Sequence, residues 1–217
     1  MTFAPRVLPF GERALLVELT DVFDETAIGW ARAIADAWEA AHLGRAIPAY
    51  ASVVLTFDAE TVAPEQAERD AAKLLAAGPD IAWAIPGRAR SPDIVEIPTR
   101  YDGPDLAEVA ERSRLSIDEL IALHSGRTYT AYFVGFLPGF AYCGRLDPRI
   151  VAPRLDRPRE RVPAGAVAVA DGQTAVYPSP SPGGWRLVGS TDVAMFDPSA
   201  ARPTRIRAGD HVRFVPA

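Results

Sequence analysis

Between Ala14 and Leu19 the run ALLVEL has the length and apolar density of a buried strand, after which the hydrophobic positions change period. From about Glu25 to His42, Ile28, Ala31, Ile34, Ala35 and Trp38 recur at helical spacing, and Asp24 stands where an N-cap belongs. One apolar helix face of this kind requires a sheet beneath it. SVVLTF, from Ser52 to Phe57, supplies a next strand, and Pro64 opens a second helix whose inward positions include Ala67, Ala71, Leu74 and Leu75. These periods predict a small α/β sandwich over residues 1–85.

The segment AIPGRARSPD, residues 84–93, is dense in proline, glycine and charge and is the expected linker. An alternating strand, Ile94 to Thr99, and two brief helices follow it. Ser116 and Glu119 form an S-x-x-E capping box for the second helix, and Gly126 occupies the place of a left-handed C-terminal residue. Beyond Thr128 no window sustains a helical period. TYTAYFVGF, AVAVA, TAVYP, WRLVG, VAMFD and HVRFV are short β-type runs separated by Pro, Gly and Asp, which predicts a closed or sandwiched β domain over 86–217. The fold class expected is α+β.

With 217 residues and a hydrophobic share of 48%, the chain can bury a real core. A formal net charge of −5 and a pI near 5.3 argue against a broad phosphate-binding face, so nucleic acid is not an expected partner. No apolar run reaches membrane-spanning length, and Glu12 interrupts what would have to be a signal core, so a soluble cytoplasmic protein is expected, with no membrane partner. Cys143 is the single cysteine, and neither CxxC nor HExxH occurs. Neither an internal disulfide nor a metal site is expected.

The candidate chemistry is concentrated in the second half. His124 and Ser125 are adjacent on a helix and do not face each other, so they make no nucleophile–base pair. His124 alone reads either as a packed polar residue at a helix end or as a ligand contact. In PRLDRPRERVPAG, prolines restrict the backbone around Arg154, Arg157, Arg159 and Arg161, as a carboxylate or phosphate clamp requires and as a solvated loop also permits. No Walker loop or GxGxxG is present, so a nucleotide, if used, is expected on another chain. The segments FLPGF (Phe136 to Phe140) and SPGGW (Ser181 to Trp185) each set large aromatics beside Pro and Gly. Such segments pack β-corners or wall a pocket, with Gln173, Tyr177 and Trp185 at its rim and backbone approach permitted at Gly183 and Gly184. Strand-like runs on both sides make PSPSPGGW a stiff loop rather than a tether.

The run from TYTAYFVGFLPGFAYCG through PRLDRPRERVPAGAVAVADGQTAVYPSPSPGGWRLVGSTDVAMFDP resembles the signature of the allophanate hydrolase subunit 1 family. FGERALLVEL, the segment at Pro48, YDGPDL at Tyr101 and the closing RAGDHVRF also fit it. That family includes kinase-inhibitor-like proteins and the B-type subunit of bacterial 5-oxoprolinase, and it is similar to the smaller piece of the urea carboxylase carboxyltransferase unit. The resemblance implies a C-terminal cyclophilin-like β-barrel and a larger related partner, of the allophanate hydrolase subunit 2 or oxoprolinase C-type, with a further A-type component. It implies ATP-dependent opening of 5-oxoproline to glutamate, with ATP and Mg²⁺ acting at the level of the complex. Its other branches imply carboxyl transfer onto a urea-like nitrogen, or inhibition of a sensor histidine kinase.

Matching positions are His124, Gly135, Pro138, Gly139, Phe140, Arg154, Arg161, Pro163, Gly165, Gln173, Tyr177, Pro178, Pro182, Gly183, Gly184 and Trp185. From these the expected roles are anion binding for Arg154 and Arg161, orientation for Gln173 and Tyr177, and a substrate contact for His124. Trp185 forms a wall, and Pro138, Gly139, Phe140, Pro182, Gly183 and Gly184 form a pocket or partner surface. No catalytic residue follows. Two departures stand out: Tyr142-Cys143-Gly144-Arg145 replaces a common aromatic, Leu and Gly pair, and GAVAVAD (165–171) stands where relatives often have GSVGIAG. Ala166 lacks a hydroxyl and Asp171 adds a carboxylate, changes expected to alter a binding detail without disturbing the barrel.

Overall fold

The computed structural model describes residues 5–21, 25–78 and 94–217. The chain forms two compact units, Met1–Ser91 and Pro92–Ala217. The expected cap at Asp24, the linker over 84–93 and the boundary after residue 85 lie outside the described residues.

In the first unit, β1 (Arg6–Pro9), β2 (Ala14–Glu18), β4 (Ser52–Thr56) and β3 (Ala46–Pro48) form an antiparallel sheet in that order. Alternation places Leu15, Val17, Val53 and Leu55 on the buried face. Against it lie α1 (Glu25–Ala40) and α2 (Pro64–Ala76), which contribute Ala31, Ile34, Trp38, Ala67 and Ala71. The Trp38 indole N–H donates to the Thr56 carbonyl at 2.9 Å, so its polar atom is satisfied inside the core. The edge strands β1 and β3 carry no turn-flanked apolar alternation of their own, and the sequence pattern did not announce them.

The second unit contains β5 (Ile94–Thr99), α3 (Leu106–Ser113), α4 (Ile117–Ser125), β6 (Tyr129–Val134) and β7 (Ala141–Gly144). Then come β8 (Arg159–Val162), β9 (Ala166–Ala170), β10 (Gln173–Val176), β11 (Ser181–Gly183), β12 (Arg186–Ser190) and β13 (His211–Pro216). Seven strands make one sheet in the order β12-β9-β10-β7-β6-β13-β5. Its two ends meet where Arg100, just past β5, bridges Ser190, with N–H to carbonyl bonds of 2.9 and 2.7 Å. Arg100 also holds Asp192 through both terminal nitrogens, at 2.6 and 2.9 Å. This seam brings the sheet to a nearly closed, barrel-like form. Inward residues of all seven strands, among them Ile97, Tyr129, Cys143, Val169, Val176, Val188 and Phe214, form one core with Val109 of α3 and Leu120 of α4.

The α4 capping box is present in both directions: Ser116 Oγ accepts from the Glu119 N–H, and the Glu119 carboxylate accepts from the Ser116 N–H at 2.7 Å. Two expectations are corrected. Gly126 is not left-handed; its φ is −75°, and its N–H bonds the Ala122 carbonyl at 2.9 Å. VAMFD is not a strand: only Phe196 pairs, in an isolated bridge to Thr204, and the adjacent bonds, Arg205 N–H to the Met195 carbonyl and Asp197 N–H to that of Pro203, stay within a local loop.

The seam depends on a close backbone approach. A side-chain carbon at Gly189 would overlap the Arg100 carbonyl oxygen. Gly189→Ala is expected to destabilise the barrel by about 1–3 kcal/mol. Amide exchange at Arg100 and Ser190 should accelerate in this variant while the amides of β2 and β4 keep their protection; unchanged exchange at the seam would refute its role.

Candidate functional site

β9 and β10 divide their side chains strictly between two faces. Val167 and Val169 fill the barrel, whereas Ala166, Ala168, Ala170 and Ala175 line its outside. Methyl groups on these outward positions leave a flat, shallow surface on which rings can lie. Phe140, Tyr177 and Trp185 occupy it, each fully or nearly fully buried, with Leu187, Val162 and half-buried Tyr142 around them. Phe140 is the centre of this cluster. Its ring meets Tyr142 at 4.9 Å, Tyr177 at 5.2 Å and Trp185 at 5.6 Å, all steeply inclined to it. Edge-to-face contact sets the positive rim of one ring against the negative face of another and so fixes orientation as well as contact.

Two covering segments hold the aromatics in place. The loop from Gly135 to Phe140 is tied to itself: the Gly135 N–H donates to the Phe140 carbonyl at 3.0 Å, and the Phe140 N–H to that of Leu137 at 3.0 Å. Within it Pro138 is exposed, Gly139 is buried with φ 84°, and Phe136 takes φ 69° with its ring 61% exposed. Left-handed backbone is unfavourable for a phenylalanine, so the loop holds this ring outward against local preference. The second segment is PSPSPGGW. Ser181–Gly183 is β11, paired antiparallel with β8, and the Gly184 carbonyl accepts from the Leu155 N–H at 2.7 Å. A Cβ at Gly183 would overlap the Tyr177 hydroxyl, so glycine is required there. Burial raises the Tyr177 phenol above its ordinary range, and a hydrogen bond from the Trp185 backbone works in the opposite direction.

The four clustered arginines separate into different roles. Arg159 turns inward, donating to Asp105 at 2.7 Å, and the other Asp105 oxygen accepts from the Leu187 N–H at 2.7 Å. Arg154 lies with its guanidinium carbon 5.8 Å from the centre of the Trp185 ring, while its Nε donates to Asp171 at 2.8 Å. Arg157 and Arg161 are exposed. On β8 Val162 faces the aromatic cluster, so its neighbour Arg161 faces away from it. A fifth arginine, Arg186, is buried and committed to Glu108 and the Pro153 carbonyl.

Gln173 is buried at the start of β10, in the same outward register as Ala175. Thus Arg154, Gln173, Tyr177, Trp185, Phe140 and the two Pro-Gly segments belong to one face. His124 does not join them. It is buried in the barrel interior, 4.6 Å from the Phe214 ring, with Tyr101 on Nδ1 at 2.7 Å and Thr174 on Nε2 at 2.9 Å. Because the Thr174 hydroxyl donates to the Ala168 carbonyl at 3.1 Å, it accepts from Nε2–H, and Nδ1 accepts from Tyr101. The ring is therefore the neutral Nε2–H tautomer. Cys143 is likewise enclosed, and burial pushes its thiol up to about 12, away from nucleophilic use.

Sequence reasoning missed the partner that Asp171 makes. Asp171 and Gly172, with φ 49° and 80°, form the two-residue turn of the β9–β10 hairpin. The signal was present: DG between two apolar runs specifies a type I′ hairpin, which puts Asp171 at a barrel rim.

Desolvation lowers the His124 pKa from 6.5 to about 3, so from about 6.5 downwards the unfolded chain takes up a proton that the native ring refuses. This contribution is complete above the unfolded value and is lost as pH falls, by about 1.4 kcal/mol per unit across that window. In His124→Gln the thermal midpoint should depend less steeply on pH between neutral and mildly acid solution, whatever its value at neutrality; an unchanged slope would rule out the neutral buried ring.

Among known proteins, the family model of the carboxyltransferase domain, subdomain C and D, matches residues 5–206. The B subunit of the Bacillus subtilis (strain 168) 5-oxoprolinase is 37% identical over 231 residues, covering 99% of this chain and 94% of that protein. The crystal structure of TTHA0988 superposes with a TM-score of 0.80 at 40% identity, over 94% of this chain and 40% of that chain, so the present fold spans about two fifths of it. The Kluyveromyces lactis urea amidolyase shares the fold at a TM-score of 0.71 and 17% identity, over 98% of this chain and 15% of that one. By its sequence along nearly its whole length and by its fold, the chain belongs to the carboxyltransferase domain, subdomain C and D, family.

Proposed function

We propose that this chain is the B-type subunit of an ATP-dependent 5-oxoprolinase, a hydrolase complex that opens the lactam 5-oxoproline to glutamate. The near full-length likeness to the B. subtilis 5-oxoprolinase component carries the reading. The outer face of the barrel supports it chemically, since it joins a cation, a neutral amide and a phenol to an aromatic floor. A lactam amide is a poor electrophile, and opening it requires charge stabilisation at its carbonyl and orientation of its ring. In this reading Arg154 binds the anionic group of the ligand above Trp185, and the orienting roles of Gln173 and Tyr177, both buried, require the covering PSPSPGGW segment to lift. Arg161 is exposed and faces away from the aromatic floor on β8, so in this reading its anion-binding role would belong to a separate surface.

The donor set does not fit a nucleotide–magnesium site. The sequence has no glycine-rich phosphate loop, and among the described residues no three His, Cys, Asp or Glu side chains are grouped for a metal. We therefore assign ATP and Mg²⁺ to a partner chain, with activation of the lactam carbonyl as their contribution. The exposed Phe136 and Pro138 form the anchor by which the larger related partner closes over the face, because an aromatic held outward against its backbone preference supplies buried area on association.

The test is co-expression with candidate larger partners, purification of the complex, and assay of ATP-dependent glutamate release with each chain omitted in turn. Loss of release when this chain is omitted supports the reading. A stable complex that releases no glutamate overturns it in favour of carboxyl transfer or of sensor histidine kinase regulation. Within an active complex, Arg154→Ala is expected to lower kcat/KM by about 10²-fold. Full activity of Arg161→Ala would remove Arg161 from anion binding. Phe136→Gly should leave the stability of the free chain within about 1 kcal/mol, strain relief offsetting backbone entropy, while weakening assembly by roughly tenfold or more. Unchanged assembly would exclude Phe136 as the anchor.

A further inference from the structure

The Arg154–Asp171 pair is built more firmly than two half-exposed side chains require. Asp171 projects from a hairpin turn that is clamped on both sides: its own N–H donates to the Ala152 carbonyl at 2.9 Å, and the Gly172 carbonyl accepts from the Leu146 N–H at 2.8 Å. Arg154 lies two residues beyond Ala152, and the next residue, Leu155, is fixed to Gly184 at 2.7 Å. Beneath the guanidinium is the Trp185 ring, itself only 4% exposed. The two side chains remain 57% and 54% exposed. Asp171 accepts from Nε, so the outer edge of the guanidinium, formed by its two terminal nitrogens, is free of partners among the described residues.

An arginine pinned through Nε on one side, with an indole ring 5.8 Å from its guanidinium carbon, leaves its two terminal nitrogens as a two-pronged donor edge to solvent. That edge matches a carboxylate in shape. The carboxylate of Asp171 offsets the guanidinium charge locally, so no excess positive charge repays the larger desolvation cost of a phosphate dianion, whereas a monoanion needs only the oriented donors. We propose that the outer edge of Arg154, mounted on Asp171 and laid over Trp185, is a monocarboxylate-binding subsite, with Asp171 as its positioning residue and its filter against phosphate. The subsite rests on the preceding reading that this face receives the ligand, and it specifies which part of the ligand docks there. The carboxylate of 5-oxoproline occupies the arginine edge, and the lactam ring extends away from it.

The experiment uses the full chain without partners, isotopically labelled for the arginine Nε–H signals, and three probes with inorganic phosphate as the fourth. The probes are 5-oxoproline, cyclopentanecarboxylate, which keeps the acid and lacks the lactam, and 2-pyrrolidinone, which keeps the lactam and lacks the acid. Both acids should shift the Arg154 Nε–H signal saturably, and 2-pyrrolidinone and phosphate should not. Asp171→Asn is tolerated at a left-handed position and preserves the turn, which the Gly172 amide signal verifies. It should raise phosphate binding relative to cyclopentanecarboxylate by about tenfold and broaden the Arg154 signal as the charge-assisted bond to Nε becomes a neutral one. A phosphate shift equal to that of the acids in the wild-type chain, no saturable shift with either acid, or an unchanged ratio in Asp171→Asn overturns the proposal. Saturable acid binding together with no glutamate release from any complex keeps the subsite and removes the oxoprolinase reading. Glutamate release that survives Arg154→Gln undiminished removes the subsite and keeps that reading.

Discussion

The alternation of valine and alanine along β9 and β10 is the constraint on which the rest of the second unit depends. With period two, each strand delivers one set of side chains to the barrel interior and the other to the outside, and a slip of one residue would exchange them. Valine inward fills the limited volume of a seven-stranded barrel together with Tyr129 and Phe214. Alanine outward keeps the opposite surface shallow enough for Phe140, Tyr177 and Trp185 to lie against it. The same register decides which polar residues enter the core. Thr174 falls inward and meets His124, while Gln173 and Tyr177 fall outward beside the aromatics. Barrel stability and the placement of the candidate site are therefore consequences of one pattern.

Charge follows a comparable division of labour. Around the aromatic face the inward-turned arginines are matched by acids of the α3 region: Arg159 by Asp105 and Arg186 by Glu108. Both guanidinium groups are committed to structure, and Arg186, whose side chain is 7% exposed, would be left a desolvated cation without Glu108. Arg154 differs in being half exposed and bonded through Nε alone among the described residues. A cluster that reads in sequence as four equivalent cations thus resolves into one inward strut, one oriented donor and two solvated charges. The oriented donor is the one that touches the aromatic floor.

Much of this architecture was legible from local pattern. Helical spacing identified α1 and α2, the capping box located the start of α4, and short apolar runs marked most barrel strands. What local pattern did not carry was closure. The edge strands β1 and β3 and the β8–β11 ribbon are too short to show a period, and their existence depends on partners distant in sequence. The same limit applied to the site. Prolines and glycines marked FLPGF and SPGGW as rigid, and the structure does set both on one face, yet His124 belongs to another environment entirely. A lone histidine on a helix carries no information about which side of a barrel wall it reaches; that is set by the Tyr101 and Thr174 contacts, 23 and 50 residues away.

Backbone strain separates the structural features from the candidate functional ones. Four non-glycine residues in the described chain have positive φ: His42, Arg114, Phe136 and Asp171. His42 and Arg114 follow the ends of α1 and α3, where a left-handed residue closes the last turn and needs no further cause. Asp171 sits in a hairpin turn that favours aspartate and orients Arg154 from there. Phe136 is the centre of a γ-turn closed by the Leu137 N–H on the Gly135 carbonyl at 2.9 Å, a strained turn that few side chains adopt. Its ring gains one edge contact with Phe140 at 5.5 Å and remains mostly in solvent, a poor return for about 1–2 kcal/mol of conformational strain. The free chain gains little by holding it there, whereas a partner protein that buried the ring would recover its apolar area beside the arginine edge and the aromatic floor. Strain at this point is what the proposed partner surface would turn to use, and it is the feature of the loop that ties that proposal to the fold.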